Sequence, residues 1–400
     1  MLIDLSKYKK FKLLLFGGLY FAEGIYQAMI LIVGPIYLIN KNVPLPYVTL
    51  LGALIYLPWG LKFIWGGIIE FYHKYGRKKF AVFGTIFGAF GFFAISFIDQ
   101  NFSLLWFAIF LFMGYTGIGF LDSAVDAWAI DTSKKEERGK INGSMNIGKW
   151  AGQFLGALFI ISIGVGFSYS FSFFITGLII LLLVIIPLIV KYEDRKIDKL
   201  KIWSLVKQEF GKKITRLTTI YFFIFVLYPA LYFTILVIYL KTSLNFEDTF
   251  IGFLYAFWLV AVIPGSIVGG MLADKYGRKL PLYVFLIFII IFSVTPIVIK
   301  DYYIIILNFT ILMFFVNGAI AATWAMIMDV INPKISAAEH EIICSIVNLG
   351  GIMIGSVAGT LIVIFGFNNL FLLSAFIIII ALIVLYRIKN VDKIKWESES

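Results

Sequence analysis

The chain has 400 residues, 61% of them hydrophobic and only 14% charged, with a mean hydropathy of +0.96 and a formal net charge of +11. So little polar surface excludes a water-soluble globule; the long apolar runs suit helices crossing a hydrocarbon core about 30 Å thick, not the short alternating strands of a membrane barrel. The single cysteine, Cys344, excludes an internal disulfide, His73 and His340 cannot build a histidine metal cage, and nothing in the composition calls for a metal, a cofactor or a nucleic acid.

The segment Met1 to Lys12 is polar and basic, and the apolar run behind it is too long for a cleavable signal, so that run is read as the first span. Charge clusters bound spans near 13–39, 47–72, 80–98, 102–132, 141–166, 168–190, 217–240, 248–273, 281–299, 302–330, 341–366 and 368–386. Of the 34 lysines and arginines, 29 fall at the N-terminus, in alternate loops or in the tail, which places both termini in the cytoplasm. The expected class is an all-α membrane protein of twelve transmembrane helices in two pseudo-symmetric six-helix bundles. The N-terminal bundle covers 1–190, a cytoplasmic linker 191–216, the C-terminal bundle 217–386 and a cytoplasmic tail 387–400. A monomer in the bilayer of the plasma membrane is the expected setting.

In chain order, the first half places ionisable groups inside its spans. These are Glu23 with Gln27 on span one, Lys62 on span two, Asp122 with Asp126 on span four, and Lys149 on span five. At about 1.5 Å per residue, Glu23, Lys62, Asp122 and Lys149 share a layer roughly 12 to 18 Å deep. Charges at that depth line a cavity or pair with one another. Asp122 and Asp126 share a helical face and disfavour each other's ionisation. Asn142, Asn146, Lys149 and Gln153 repeat at helical spacing and form one stripe expected to face the cavity. Three carboxylates against two ammoniums leave one acid unpaired, and an unpaired buried acid takes a proton. Asp122 or Glu23 is therefore the expected proton carrier, with Lys62 pairing alternately with carboxylate and anionic substrate. A static bundle whose charges merely satisfy each other is the alternative.

The linker, Lys191 to Arg216, carries nine basic residues among Ile197, Leu200, Trp203, Val206 and Phe210. That spacing reads as an amphipathic helix on the inner leaflet, against the plainer reading of a solvated tether. The second half has no comparable charge cluster. Its intramembrane Tyr228, Tyr232, Asn317, Trp324 and Asn348 are expected to contact uncharged parts of a substrate. Pro35, Pro58, Pro187, Pro229, Pro264 and Pro296 interrupt spans and permit kinks or hinges.

The two halves repeat. His73-Lys-Tyr-Gly-Arg-Lys78 and Asp274-Lys-Tyr-Gly-Arg-Lys279 are offset by 201 positions, and Asn146-Ile-Gly148 and Asn348-Leu-Gly350 by 202. Glycines follow every four residues, at Gly148, Gly152 and Gly156 and at Gly351, Gly355 and Gly359. Such ladders let helices approach closely, here expected to give slidable contacts with the other half, or else ordinary packing within one bundle.

The turn Gly270-Met-Leu-Ala-Asp274-Lys-Tyr-Gly277-Arg278-Lys279 resembles the signature loop of the major facilitator superfamily, and the first-half copy resembles it with His73 in place of the aspartate. The resemblance implies the major facilitator fold, two bundles rocking about a central cavity. It also implies a cytoplasmic latch built from Gly76, Arg77, Asp274, Gly277 and Arg278, with Glu70 substituting in the first half and Asp131, Arg138 and Asp329 as further members. Leu57-Pro-Trp-Gly-Leu-Lys62-Phe-Ile-Trp65, Asp122-Ser-Ala-Val-Asp126-Ala-Trp128-Ala-Ile-Asp131 and Glu136-Glu-Arg-Gly139 are similar to the acetyl-coenzyme A transporter and muropeptide permease branch.

The expected function is secondary active transport, not catalysis: a small, anionic organic solute carried by alternating access with protons. A facilitative uniporter or organic-anion exchanger is the alternative within transport, and a non-transporting sensor or receptor the alternative outside it. An intramembrane protease would need its two acids on separate helices, whereas Asp122 and Asp126 share one.

Overall fold

The computed structural model describes residues 3–4, 9–72, 75–98, 102–132, 138–191, 202–299, 301–332 and 335–389. The spans one to ten run Phe11–Asn40, Leu45–Ile69, Arg77–Ser96, Leu104–Ala129, Gly143–Gly166, Tyr169–Leu188, Lys213–Thr242, Asp248–Tyr276, Lys279–Val298 and Tyr302–Val330. A final segment, Glu339–Arg387, has 49 residues, and at 1.5 Å per residue it would extend about 74 Å, more than twice the hydrocarbon thickness. Gly366 divides it by taking a φ of 74°, a backbone conformation that only glycine adopts without strain. Spans eleven and twelve are therefore 339–365 and 367–387, which brings the spans among the described residues to twelve.

The helices gather into two units, Met1–Asp198 with Leu240–Ala256, and Lys199–Tyr239 with Phe257–Ser400. In the first unit span one is the most enclosed: 83% of its central window is buried, against 39–56% for the other spans. Any charge it carries is therefore shielded from lipid and water by its neighbours. Span five lies against it backbone to backbone. A Cβ added at Gly24 would sit 2.8 Å from the Gln153 nitrogen, and one at Gly152 would sit 2.9 Å from the Ile25 nitrogen. The glycine ladder thus faces a helix of its own half. The close approach to a span of the other half is made instead at Ala157 and Ile161, against which Gly252 of span eight packs. This corrects the expectation of contacts across the halves for the first ladder: Gly148, Gly152 and Gly156 are consumed by the span one to span five seam. In the second unit Gly350 of span eleven meets the Phe223 ring of span seven, so the same pairing recurs with a side chain in the seam.

Both seam helices widen by one π-helical turn directly beyond their polar stripes, at Met29–Val33 and Gly156–Ile160. Span two breaks where Pro58 predicts it. The helix Leu45–Gly60 ends at Leu61 (φ −100°, ψ 20°), a new helix starts at Lys62, and the Trp65 indole nitrogen donates to the Pro58 carbonyl at 2.8 Å. Pro229, Pro264 and Pro296, in contrast, sit inside continuous helices.

On the lysine-rich face the repeated basic turn has a structural task in both units. Gly76 and Gly277 take matching positive φ values of 81° and 80°. Lys78 then donates to the Leu188 and Val190 carbonyls at 3.1 and 2.6 Å, and Lys279 to the Ile388 carbonyl at 2.7 Å. An ammonium placed there satisfies carbonyls that the last helix of each half leaves unpaired at its negative end. Strand Ile3–Asp4 pairs in parallel with Val190–Lys191 beside the same cap.

The linker helix, Ile202–Gly211, buries Val206 and Glu209 against the second unit. Glu209 Oε1 accepts from Asn332 Nδ2 at 2.7 Å, and the Asn332 backbone nitrogen donates to Glu339 Oε2 at 2.9 Å. The expected inner-leaflet helix is therefore anchored to protein through a carboxylate that its composition alone does not distinguish from the solvated charges. Ile197 and Leu200, and the side chain of Trp203, lie outside the described residues.

The seam yields a stability prediction. Gly152→Val forces spans one and five apart and lowers stability by about 1–3 kcal/mol, the usual cost of overpacking. Gly66→Ala, where an added Cβ meets nothing within 4 Å, stays within about 0.5 kcal/mol of the parent protein; thermal unfolding of the two purified variants in detergent checks both.

Candidate functional site

The ionisable residues of the first half converge. The tight seam sets Glu23 beside Lys149, and the two form an ion pair. Gln27 Nε2 donates to Glu23 Oε1 at 3.0 Å, and Gln153 Nε2 donates in turn to Gln27 Oε1, so the stripes of spans one and five close on each other. The break in span two aims Lys62 at span four, where it pairs with Asp122 and lies 3.7 Å from Asp126 Oδ2. Asp126 also accepts from the Tyr20 hydroxyl. The two ion pairs share one aromatic neighbour, because Lys62 and Lys149 place their ammoniums 5.1 and 5.6 Å from the centre of the Trp59 ring.

Exposure sorts this cluster into a dry and a wet part. The side chains of Glu23 and Asp122 are 2% and 3% exposed and that of Lys62 10%, whereas Lys149 and Asp126 reach 26% and 29%. In the less exposed part Glu23 Oε2 is buried, with no hydrogen-bond partner among the described residues. An ionised oxygen in that position is expensive, and a proton is the smallest group that relieves it.

Of the other expected site residues, Asn146 is exposed near the start of span five, and the side chain of Asn142 lies outside the described residues. The second half departs from expectation. Tyr228 and Tyr232 are fully buried; Tyr228 bonds Ser293 Oγ at 2.7 Å, and the Tyr232 ring is enclosed by Tyr228, Phe309 and Phe371. These tyrosines pack in the aromatic interior of the bundle, between its spans. Asn317 is half-buried and donates to Met313 O of its own helix at 2.8 Å. Trp324 stacks on His340 at 5.1 Å and meets Phe222 edge-on, and Asn348 is half-buried on span eleven.

Among the latch residues, Arg278 is the hub. Its Nε and Nη2 donate to the two Asp329 oxygens at 2.6 and 3.2 Å, and Nη1 donates to Asp274 at 2.5 Å. The bonds to Asp329 hold the guanidinium pKa above its ordinary value, so this group keeps its charge at any physiological pH. Asp274 is 75% exposed and pairs with Arg278 four residues on. Arg77, the repeat mate of Arg278, is buried. His73 and the side chains of Glu70, Asp131 and Arg138 lie outside the described residues.

Sequence reasoning missed two groups of residues. Tyr20 and Trp59 precede Glu23 and Lys62 by three positions, a helical neighbour spacing that could have flagged them. Asp248 escaped entirely. It starts span eight on the face opposite the basic turns, pairs with Lys241, and accepts from Asn40 Nδ2 at 2.6 Å and from the Tyr169 hydroxyl at 3.0 Å. One carboxylate thus ties together the ends of spans one, six, seven and eight.

Comparison with known proteins agrees with this architecture. A family model described as Major Facilitator Superfamily matches residues 16–338 and 217–400. Among curated proteins, none matches the sequence. A bacterial homolog of the human lysosomal transporter Spinster, inward-facing and unoccupied, superposes with a TM-score of 0.80 at 15% identity, covering 98% of this chain and 99% of that one. The nucleoside transporter NupG gives 0.76 at 12% identity over 95% and 100% of the two chains. The xylose transporter XylE from E. coli, inward open, gives 0.72 at 12% identity over 96% of each.

The geometry makes one energetic prediction. Lys62→Met strands Asp122 in the dry part of the cluster and costs about 3–5 kcal/mol, while adding Asp122→Asn recovers most of that loss. Unfolding of the single and double variants measures the coupling, and strictly additive effects would show that the pair does not act as a unit.

Proposed function

The chain belongs to the Major Facilitator Superfamily, and on that premise we propose that it is a proton-coupled transporter of a small anionic organic solute, working by alternating access. The observation carrying this reading is that three carboxylates and two ammoniums share one enclosed cluster whose least exposed acid has an orphaned oxygen.

With every group ionised the cluster bears one excess negative charge, which a single proton neutralises. An arriving anion reaches Lys149 first, since that ammonium is the more exposed of the two. Drawing Lys149 away leaves Glu23 buried without its counter-charge, and the carboxylate then takes up a proton rather than remain a lone ion in a dry site. Anion and proton binding are coupled because both compete for the same ion pair. Asp122 and Lys62 form a second pair of the same design, with Asp126 and Tyr20 at its wet edge. Neutral polar groups on the same stripes, Gln27, Gln153 and Asn146, offer contacts for the rest of the solute.

Two latches accompany the cluster. Glu70, Gly76, Arg77, Asp131, Arg138, Asp274, Gly277, Arg278 and Asp329 form the cytoplasmic one, a role supported for the second half by the Arg278 bridge. Asp248, with Asn40, Tyr169 and Lys241, forms the opposite one. The likeness of segments 57–65, 122–131 and 136–139 to the acetyl-coenzyme A transporter and muropeptide permease branch favours a bulky anion. The protein is read as a monomer of the plasma membrane.

A thermal-shift screen of the purified protein against nucleotides, acyl-coenzyme A, peptides and sugar conjugates identifies a solute, because a ligand of the folded state raises the melting temperature. Uptake of that compound into proteoliposomes then accelerates under an inward acid gradient. Glu23→Gln and Asp122→Asn abolish accumulation while sparing exchange; full retention of gradient-driven accumulation in both variants contradicts the coupling role. For the opposite latch, Asp248→Ala widens the distance between spin labels at Asn42 and Ser243 in the unliganded protein, and an unchanged distance distribution would remove Asp248 from that part.

A further inference from the structure

We propose that Trp59 is a positioning residue for the coupling step, a stand-by partner that keeps both ammoniums charged and on one face while their carboxylates exchange ions. This rests on the transport reading above and adds a group which that reading does not use.

Both ammoniums project onto the same ring, at 5.1 and 5.6 Å from its centre, so one indole serves two ion pairs. Trp59 is 7% exposed, and a cation over a desolvated indole is held by the ring quadrupole far better than one in water. The ring is fixed in place. Tyr56 and Tyr115 pack against it with centroids 6.1 and 6.0 Å away, and the break at Leu61 sets it directly before Lys62.

The need for such a partner follows from the cycle. When Glu23 is protonated, Lys149 loses that counter-charge before an anion has arrived, and when Asp122 is protonated Lys62 keeps the more distant Asp126. A buried ammonium facing a neutral acid is costly, and that cost opposes protonation. The indole lowers it, because it holds the ammonium more strongly once the neutral acid no longer competes for that charge. It also leaves each amine near its acid, so the ion pair can re-form when the proton departs. The titratable groups facing this junction among the described residues are Glu23, Asp122, Asp126, Lys62 and Lys149, with the hydroxyls of Tyr20, Tyr56 and Tyr115 around them.

The proton itself is the probe. The full-length protein in proteoliposomes, without solute, is titrated while the carboxyl stretching band is followed by infrared spectroscopy, the cluster's share being assigned by its loss in Glu23→Gln and Asp122→Asn. Trp59→Leu moves the midpoint of that share to lower pH by about one unit, a roughly tenfold loss of proton affinity. Trp59→Phe, which keeps a ring face, moves it less than half as far; Trp59→Met carries the same prediction as Trp59→Leu if the latter fails to assemble. An unchanged midpoint in Trp59→Leu or Trp59→Met, with the melting temperature of the parent protein, overturns the proposal and leaves proton coupling standing, as does an equal shift in Trp59→Phe. A parent protein whose cluster shows no titrating band between about pH 4 and 9 overturns both readings.

Discussion

Ionised side chains inside a bilayer must be paired or wetted, and five residues of the first half are arranged by that constraint. The seam between spans one and five is tight enough to bring Glu23 to Lys149 only because Gly24 and Gly152 leave no side chain between the backbones. The break after Pro58 does the equivalent for Lys62 and Asp122. Both pairs come to rest against one indole, and this makes them a single electrostatic object. In the proposed cycle its excess acid supplies the proton coupling, and its graded exposure sets the order of binding.

The halves share a scaffold and divide the chemistry. The basic turn recurs in both, with the same glycine conformation and the same lysine cap on the last helix, Lys78 in one and Lys279 in the other. What differs is the content of the bundles. Both halves bury tyrosines, Tyr26 and Tyr115 in one and Tyr228 and Tyr232 in the other, and the first half adds the lysine–carboxylate cluster. In the second copy of the turn the arginine bridges two acids, Asp274 and Asp329, and in the first Arg77 is buried.

Much of this was legible in the chain. Hydropathy marks the twelve spans, including the two that run together at Gly366. Helical spacing shows that Glu23 goes with Gln27, Lys149 with Gln153 and Asp122 with Asp126. Periodicity fixes the side of one helix on which a residue lies, but not the rotation of the helix beside it. For that reason the pairing of Lys62 with Asp122 and Lys149 with Glu23 had to come from the fold. The glycine ladder was misassigned for the same reason, since its spacing says that something comes close and not which helix. The burial of Tyr228 and Tyr232 was not legible for another reason: in an apolar span a tyrosine is equally at home packed in a core or facing a cavity, and sequence carries no contrast between the two. Asp248 was passed over because a carboxylate at a helix start usually needs no further explanation.

The central claim is that anion and proton bind as a linked pair because they compete for one lysine–carboxylate contact. Calorimetric titration of the purified protein with the first solute found to raise its melting temperature, repeated at one pH in buffers of different ionisation enthalpy, counts the protons exchanged on binding. The account predicts about one proton taken up for each negative charge bound, in keeping with the pairing rule for buried ions, and a sharp fall in that number in Glu23→Gln. Binding of an anion with no net proton uptake from acid to neutral pH would contradict it.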